Sequence, residues 1–263
     1  MKKLFYILII LLISQSAVRA QGFNWQYSSR LPFNYPYVFA GLTGNTAYSL
    51  HYAALNLSEG SGNCCQFSSG NGHAYSIGLK AEYWQTGVLA INLQLSYNSN
   101  SGIFTADGES MPFTVFDNQG KIVGHDTVSF ENEMSVALNY ITITPGAKRR
   151  LFGTHLFAGV AVELGYLITH SAEQKERVVS PSFYKYNDGS QVRTLGSHNI
   201  ADISGFKFTP KVMLGYDLPV GIGIYISPLV SVGFPLHSIS TDGSWKMWNF
   251  TFGISILRAV SYQ

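Results

Sequence analysis

Seven ionisable side chains, Lys80, Glu82, Glu133, His155, Glu163, Lys207 and Lys211, stand where local alternation of apolar and polar residues turns them to one face of a strand. Carboxylates, amines and an imidazole on a shared face could line an ion or substrate path, or supply an acid and a base to a reaction. They could equally pair with one another as a salt-bridge network inside a barrel. The network is the favoured reading, because an eight-stranded barrel is only wide enough for side chains to fill and charges enclosed there must be paired. Glu163 is the natural hub, since the strand after it offers Lys207 and Lys211.

Cys64 and Cys65 are the only cysteines. Being adjacent, they cannot staple two separate strands, which leaves a vicinal disulfide, a bond to another chain, or free thiols. A zinc site with His51 or His73 is conceivable, yet adjacent cysteines lack the ligand separation that zinc sites use, so no metal is expected. No GxSxG, HExxH or paired-carboxylate signature is present. A nucleophile, a base and an orienting group are needed together, and loop residues that are merely polar are normally solvated. Neither an enzyme nor a cofactor is expected.

The elements that must position these groups read as strands. Between His73 and Tyr97, Tyr75, Ile77, Leu79, Ala81 and Tyr83 alternate with Ala74, Ser76, Gly78, Lys80 and Glu82; after a turn at Gln85 to Gly87, Leu89, Ile91, Leu93, Leu95 and Tyr97 alternate with Ala90, Asn92, Gln94 and Ser96. Period two with an aliphatic face, a polar face and tyrosine towards the ends is the pattern of a barrel strand in a membrane, apolar to lipid and polar to the lumen.

Before them, Met1 to Ala20 has Lys2 and Lys3, an apolar run from Leu4 to Ile13, and Val18 and Ala20 at the positions a signal peptidase prefers. Residues 1–20 are therefore expected to be a signal peptide, and 21–37 an aromatic, proline-bearing periplasmic lead-in. Of the chain's 17 basic residues, Lys2, Lys3 and Arg19 belong to the signal, leaving 14 against 15 acidic ones. A near-neutral chain without a basic patch is not a nucleic-acid binder. Leu218 to Leu236 is uncharged, but Pro219, Pro228, Pro235 and three glycines argue against a helical span.

Residues 38–263 read as the barrel. The first strand, about Val38 to Tyr52, turns Val38, Ala40, Leu42, Tyr48 and Leu50 to lipid and Asn45, Ser49 and His51 inward. The fourth, about Thr127 to Thr144, is expected to place Met134, Val136, Leu138 and Tyr140 outward and Glu133, Ser135 and Asn139 inward, with a bulge where the phase blurs at Ile141 and Ile143. The fifth, Leu151 to His170, turns His155, Gly159, Ala161, Glu163 and Gly165 inward; the sixth, Gly205 to Tyr216, does so with Lys207, Thr209, Lys211 and Gly215. The seventh reaches Pro235 with Tyr225, Ser227 and Ser231 inward, and the eighth spans Trp245 to Arg258 with Trp248, Phe250, Phe252, Ile254 and Ile256 outward.

Connections at 53–72, 101–126, 171–204 and 236–244 are longer than those at 85–87, 145–150 and 217–220. Phe113 to Val123 could form a small hairpin that extends the sheet. Short periplasmic turns and long external loops characterise bacterial outer-membrane barrels, so both termini are expected in the periplasm. The fold class is all-β: an eight-stranded antiparallel up-and-down transmembrane β-barrel. A soluble eight-stranded barrel would carry its aliphatic face inside.

The segment NCCQF with the Gly/Ser run to GLKAEYW, the loop segment QKERVVSPSF and the final Trp245-to-Arg258 strand resemble outer-membrane β-barrel proteins of the OmpA/OmpX-like kind, and more closely a Bacteroidetes-related group. The resemblance covers the chain from about Tyr37. It departs at the end, where Tyr262 is penultimate and Gln263 terminal although such barrels commonly finish on an aromatic residue. The peptidoglycan-binding domain of some relatives is not expected. The resemblance implies a small integral outer-membrane protein with a side-chain-filled lumen, contacting outer-membrane lipid, whose external loops bind a protein or surface partner or protect the surface. The alternative is a narrow channel for small solutes and, less favoured, an enzyme modifying outer-leaflet lipid.

Overall fold

The computed structural model describes residues 37–56, 66–116, 119, 121–181, 183–198, 203–221, 223–241 and 244–260. The expected signal peptide, most of the expected lead-in, and Cys64 with Cys65 lie outside the described residues. Eleven strands follow in order: β1 (Tyr37–Asn56), β2 (Gln66–Trp84), β3 (Leu89–Asp107), β4 (Met111–Phe116), β5 (Ile122–Arg150), β6 (Leu156–Ser180), β7 (Val192–His198), β8 (Phe206–Tyr216), β9 (Leu218–Gly221), β10 (Ile224–Gly233) and β11 (Trp245–Val260).

Eight of them, β1, β2, β3, β5, β6, β8, β10 and β11, form an antiparallel ring, each paired with the next in sequence. β11 closes on β1 from Val38↔Val260 to Ala53↔Trp245. Closure removes the free sheet edges that would otherwise leave backbone groups without partners. This is the all-β, eight-stranded up-and-down barrel expected from the alternation.

The wall is apolar on its outside. Leu42, Leu79, Leu93, Ile143, Val160, Leu214, Val230 and Ile254, one from each ring strand, point outward and are 43 to 61% exposed. In water this belt would forfeit about 25 cal/mol for every Å2 left unburied. The inner face instead buries Thr43, Ser49, Lys80, Glu82, Asn92, Ser96, Glu163, Lys207, Ser227 and Ser255. Aliphatic outside and polar inside is the arrangement of a barrel wall set in lipid.

β5 departs from the expected phase. Met134, Val136, Leu138 and Tyr140 are buried inside the barrel, and Glu133, Ser135 and Asn139 are not. The reason is height along the strand. These residues lie beyond the apolar belt, where the outer face meets water and the inner face packs against Phe104, Trp245 and Met247. Nor does β5 bulge at Ile141 and Ile143, which point outward while the strand keeps unbroken register against β3 from Leu89↔Arg149 to Asp107↔Glu131. The irregularity falls on β6, where Asn139↔Thr169 is followed by Tyr140↔Leu167, leaving Ile168 as the extra residue.

Nor does β5 end at Pro145. Proline forfeits one ladder donor, but Pro145 pairs with Leu93 and the strand continues to Arg150, with the turn at 151–155. The expected turn at 217–220 is also mostly strand, since β9 folds back on β10. At the other end, much of the expected loops is sheet. β6 runs on to Ser180, β7 pairs with it along Ala172–Arg177, and β4 pairs with β5 from Met111↔Val128 to Phe116↔Ile122. A four-stranded arm, β4-β5-β6-β7, thus continues the wall; β5 beyond Asn139 is on the order of 50 Å of chain at about 3.3 Å per residue.

Candidate functional site: a lumen filled in three tiers

The lowest tier lies at the short-turn end. β2 places Lys80 and Glu82 two residues apart on its inner face, and β5 does the same with Lys148 and Arg150. Asp217, just after β8, completes the set. Glu82 forms ion pairs with Lys80 (Nζ–Oε1 2.9 Å) and with Lys148 (Nζ–Oε2 2.8 Å). Lys148 also reaches Asp217 Oδ1 at 2.9 Å, and Arg150 Nη2 reaches Asp217 Oδ2 at 3.2 Å. Ser227 donates to Asp217 Oδ1 at 2.9 Å and the Tyr225 hydroxyl donates to Glu82. The Lys148 ammonium lies 4.4 Å from the Phe157 ring centroid, and the Arg150 guanidinium 3.9 Å from that of Trp84. Phe39, Trp84, Ala90, Tyr225 and Leu257 form the apolar floor. Bonds from β2 to β5 and on to the end of β8 strap the wall across its own interior.

In the middle tier Glu163 takes Lys207 at 2.8 Å on Oε1 and Lys211 on Oε2, while Asn98 donates to Oε2 at 3.3 Å. A cavity of about 60 Å3 remains beside it. The upper tier is aromatic. Phe67, Phe104, Met134, Val136, Leu138, Tyr140, Trp245 and Met247 fill the loop-side mouth, with Ile239 folded in from the β10–β11 connection. Trp245 Nε1 donates to His51 Nδ1 at 3.1 Å, so Nε2 carries the hydrogen and faces the Ser101 carbonyl oxygen at 3.3 Å. The connection is held by Ile239 N donating to Trp245 O at 2.8 Å and Ser204 N donating to Ile239 O at 2.7 Å.

Of the seven charged residues singled out from the sequence, Lys80, Glu82, Glu163, Lys207 and Lys211 lie in this lumen and two do not. Glu133 faces out on the arm, 4.0 Å from Arg177, because β5 carries it above the belt in the opposite phase. His155 sits in the 151–155 turn, its ring 5.9 Å from that of Tyr216. Burial, and then Arg150, hold its imidazole below its ordinary value, with Asp217 opposing.

Three lumenal residues, Lys148, Arg150 and Asp217, escape the sequence reading. Their parity carries the signal: Thr144, Gly146, Lys148 and Arg150 continue the inward face of β5, and Asp217 continues that of Lys207, Thr209 and Lys211. Proline and glycine at 145–146, read as a turn, hide the first two.

On the arm, Val128, Phe130 and Val178 form a separate small core covered by Phe113, Tyr184 and Tyr186. Tyr186 donates to Glu176 Oε1 at 2.7 Å, and Arg193 bonds the same oxygen at 3.0 Å. Burial, and then the Glu176 carboxylate, push the Tyr186 phenol up. Among the described residues no group of three or more His, Cys, Asp or Glu side chains is placed to hold a metal ion.

The sequence matches no protein-family model and no curated protein. Among solved structures, the chain is similar to Neisserial surface protein A at 9% identity, covering 83% of this chain and 96% of that one, with a TM-score of 0.34. It is similar to Ail, the attachment invasion locus protein of Yersinia pestis, at 10% identity over 83% and 97% with a TM-score of 0.30. Outer membrane protease OmpT from Escherichia coli gives 10% identity over 86% and 97% with a TM-score of 0.29. Likeness this slight assigns no role.

Proposed function

We propose that this chain is a small integral outer-membrane barrel of the eight-stranded OmpA/OmpX-like kind whose lumen is closed and whose work is done outside, by the arm and the long connections. Both termini would lie in the periplasm, with the connections after β1, β3, β6 and β10 at the cell surface. The observation that carries this is the filling of the lumen at both ends: the buried Glu82–Lys148–Asp217 cluster below and the His51–Trp245–Phe104 plug above. A solute path through the barrel would have to break both.

The arm supports an outward role because it carries its own small core and ion pairs, and so holds a shape. Met111, Ile122, Val179 and Phe183 are exposed on it, and exposed apolar groups on a folded surface suit a protein or surface partner. Two measurements test the reading. Purified protein in a planar bilayer should give no steady conductance; a steady conductance lowered by Glu163→Gln would replace the closed barrel with a channel. Intact cells expressing the chain should bind a surface partner that a variant lacking residues 111–116 and 183–198 does not bind; equal binding by both would remove the arm from the function.

A further inference from the structure

The outer wall carries a cation in an apolar setting. Arg258 faces outward on β11 and is exposed, paired across the sheet with Ala40 on one side and Ile224 on the other. Its outward neighbours along the strand are Ile256 and Val260, both exposed. Val38, paired with Val260 and with Tyr83, continues the apolar face one step nearer the short-turn end. No ion pair among the described residues includes Arg258. Against lipid such a charge costs more the deeper it lies, and a long basic side chain reaches towards the bilayer surface with its charged end. An anion at that surface offsets the cost.

Beside Arg258 the wall is hollow. Ala40 pairs with Ala81, and Ala81 with Leu93, so Arg258, Ala40, Ala81 and Leu93 form one row across four neighbouring strands, with partners about 5 Å apart. The two small side chains leave a cleft of about 480 Å3 bounded by Leu42, Leu79, Leu93 and Leu95. Leu42, Leu79 and Leu95 form the next outward row, on the side away from the turn at 85–88. The cleft therefore neighbours a charge at one end and runs along leucines towards mid-wall at the other. Left unfilled, it would forfeit the dispersion contacts of its lining. An apolar chain with an anionic head fits both features. A second copy of this barrel does not supply the anion, because its Glu82, Glu163 and Asp217 are buried in the lumen.

We propose that the wall binds a glycerophospholipid here, its phosphate diester on Arg258 and one acyl chain in the Ala40–Ala81 cleft. The guanidinium fork matches two phosphate oxygens, and the chain extends from the row of Arg258 to Leu42, Leu79 and Leu95. The proposal rests on the wall standing in lipid and is independent of what the arm binds.

The full chain, produced in a bacterial outer membrane and extracted in mild detergent, tests this by native mass spectrometry. Wild type should retain a phospholipid after bulk lipid has been washed away. Arg258→Gln should lower the retained fraction about tenfold, the order expected for losing a charge-assisted hydrogen bond. Ala81→Phe fills the cleft and should lower retention with Arg258 still in place, whereas Val160→Phe, at an exposed outward position of β6, should not. Either of the first two variants carries the comparison if the other does not fold. Equal retention by wild type and variants would overturn the proposal, as would lipopolysaccharide in place of phospholipid or a dimer that Ala81→Phe dissociates. A membrane-embedded chain that retains no phospholipid removes this proposal alone; a chain recovered outside the membrane removes the lipid placement with it.

Discussion

The Lys148 ammonium and the Glu82 carboxylate meet at 2.8 Å inside the barrel, both side chains fully shielded from solvent, although β3 stands between their strands in the wall. Their bond crosses the lumen rather than running along the sheet, and so resists separation of β2 from β5.

Removing one partner of such a buried pair typically costs about 3 to 5 kcal/mol, because the other is left charged and uncompensated. Glu82→Gln is expected to fall in that range, since it takes the carboxylate from Lys80 and leaves Lys148 with Asp217 alone. Lys148→Met in the Glu82→Gln background should restore part of the loss. Urea unfolding in liposomes, as a double-mutant cycle, measures it; additive losses would show that the two residues act independently.

The upper edge of the apolar belt can be placed by arginine. Leu93→Arg, outward and 52% exposed in the belt, should cost about 2 to 4 kcal/mol, the penalty for arginine on a barrel's lipid face near mid-depth. Ser135→Arg, also outward but above the belt and beside Glu173, should stay within about 0.5 kcal/mol, as for an ordinary surface substitution. Refolding into bilayers compares them, and equal costs would refute the assigned height of β5.

Trp245→Ala removes a fully buried ring that contacts Phe104 and donates to His51. A loss of about 3 to 5 kcal/mol is expected for deleting a buried aromatic. Because the middle tier and the charged tier stay in place, conductance in a planar bilayer should remain absent. A pore opened by this change alone would show that the lower tiers do not seal the lumen.

His155 should make stability depend on pH in one direction. Its folded-state value lies below the ordinary 6.5, so the folded protein binds fewer protons than the unfolded chain near that pH. Its contribution is complete above pH 6.5 and is lost as pH falls from there towards the folded-state value. His155→Gln should therefore flatten the decline of stability below pH 6.5, read from urea midpoints taken at several pH values. An unchanged slope would assign the decline to other groups.

Alternation in the sequence determined the ring, since period two selects the face of each strand wherever one side meets lipid. It turned Leu79 and Leu93 outward and Lys80, Glu163 and Lys207 inward without reference to any partner strand. The same rule inverted the upper part of β5, because hydrophobicity reports burial and not the side on which burial occurs. Met134 to Tyr140 are buried by Phe104 and Trp245, which are distant in sequence. Only the tertiary structure decided that. It also decided where the long connections become sheet, as β4 and β7 find partners only once β5 and β6 are side by side. Finally, it brought Lys148 to Glu82 and to Asp217, and Arg150 to Asp217: their inward parity is written in the chain, but salt bridges between strands that are not paired with each other exist only once the sheet has curved to bring their inner faces together.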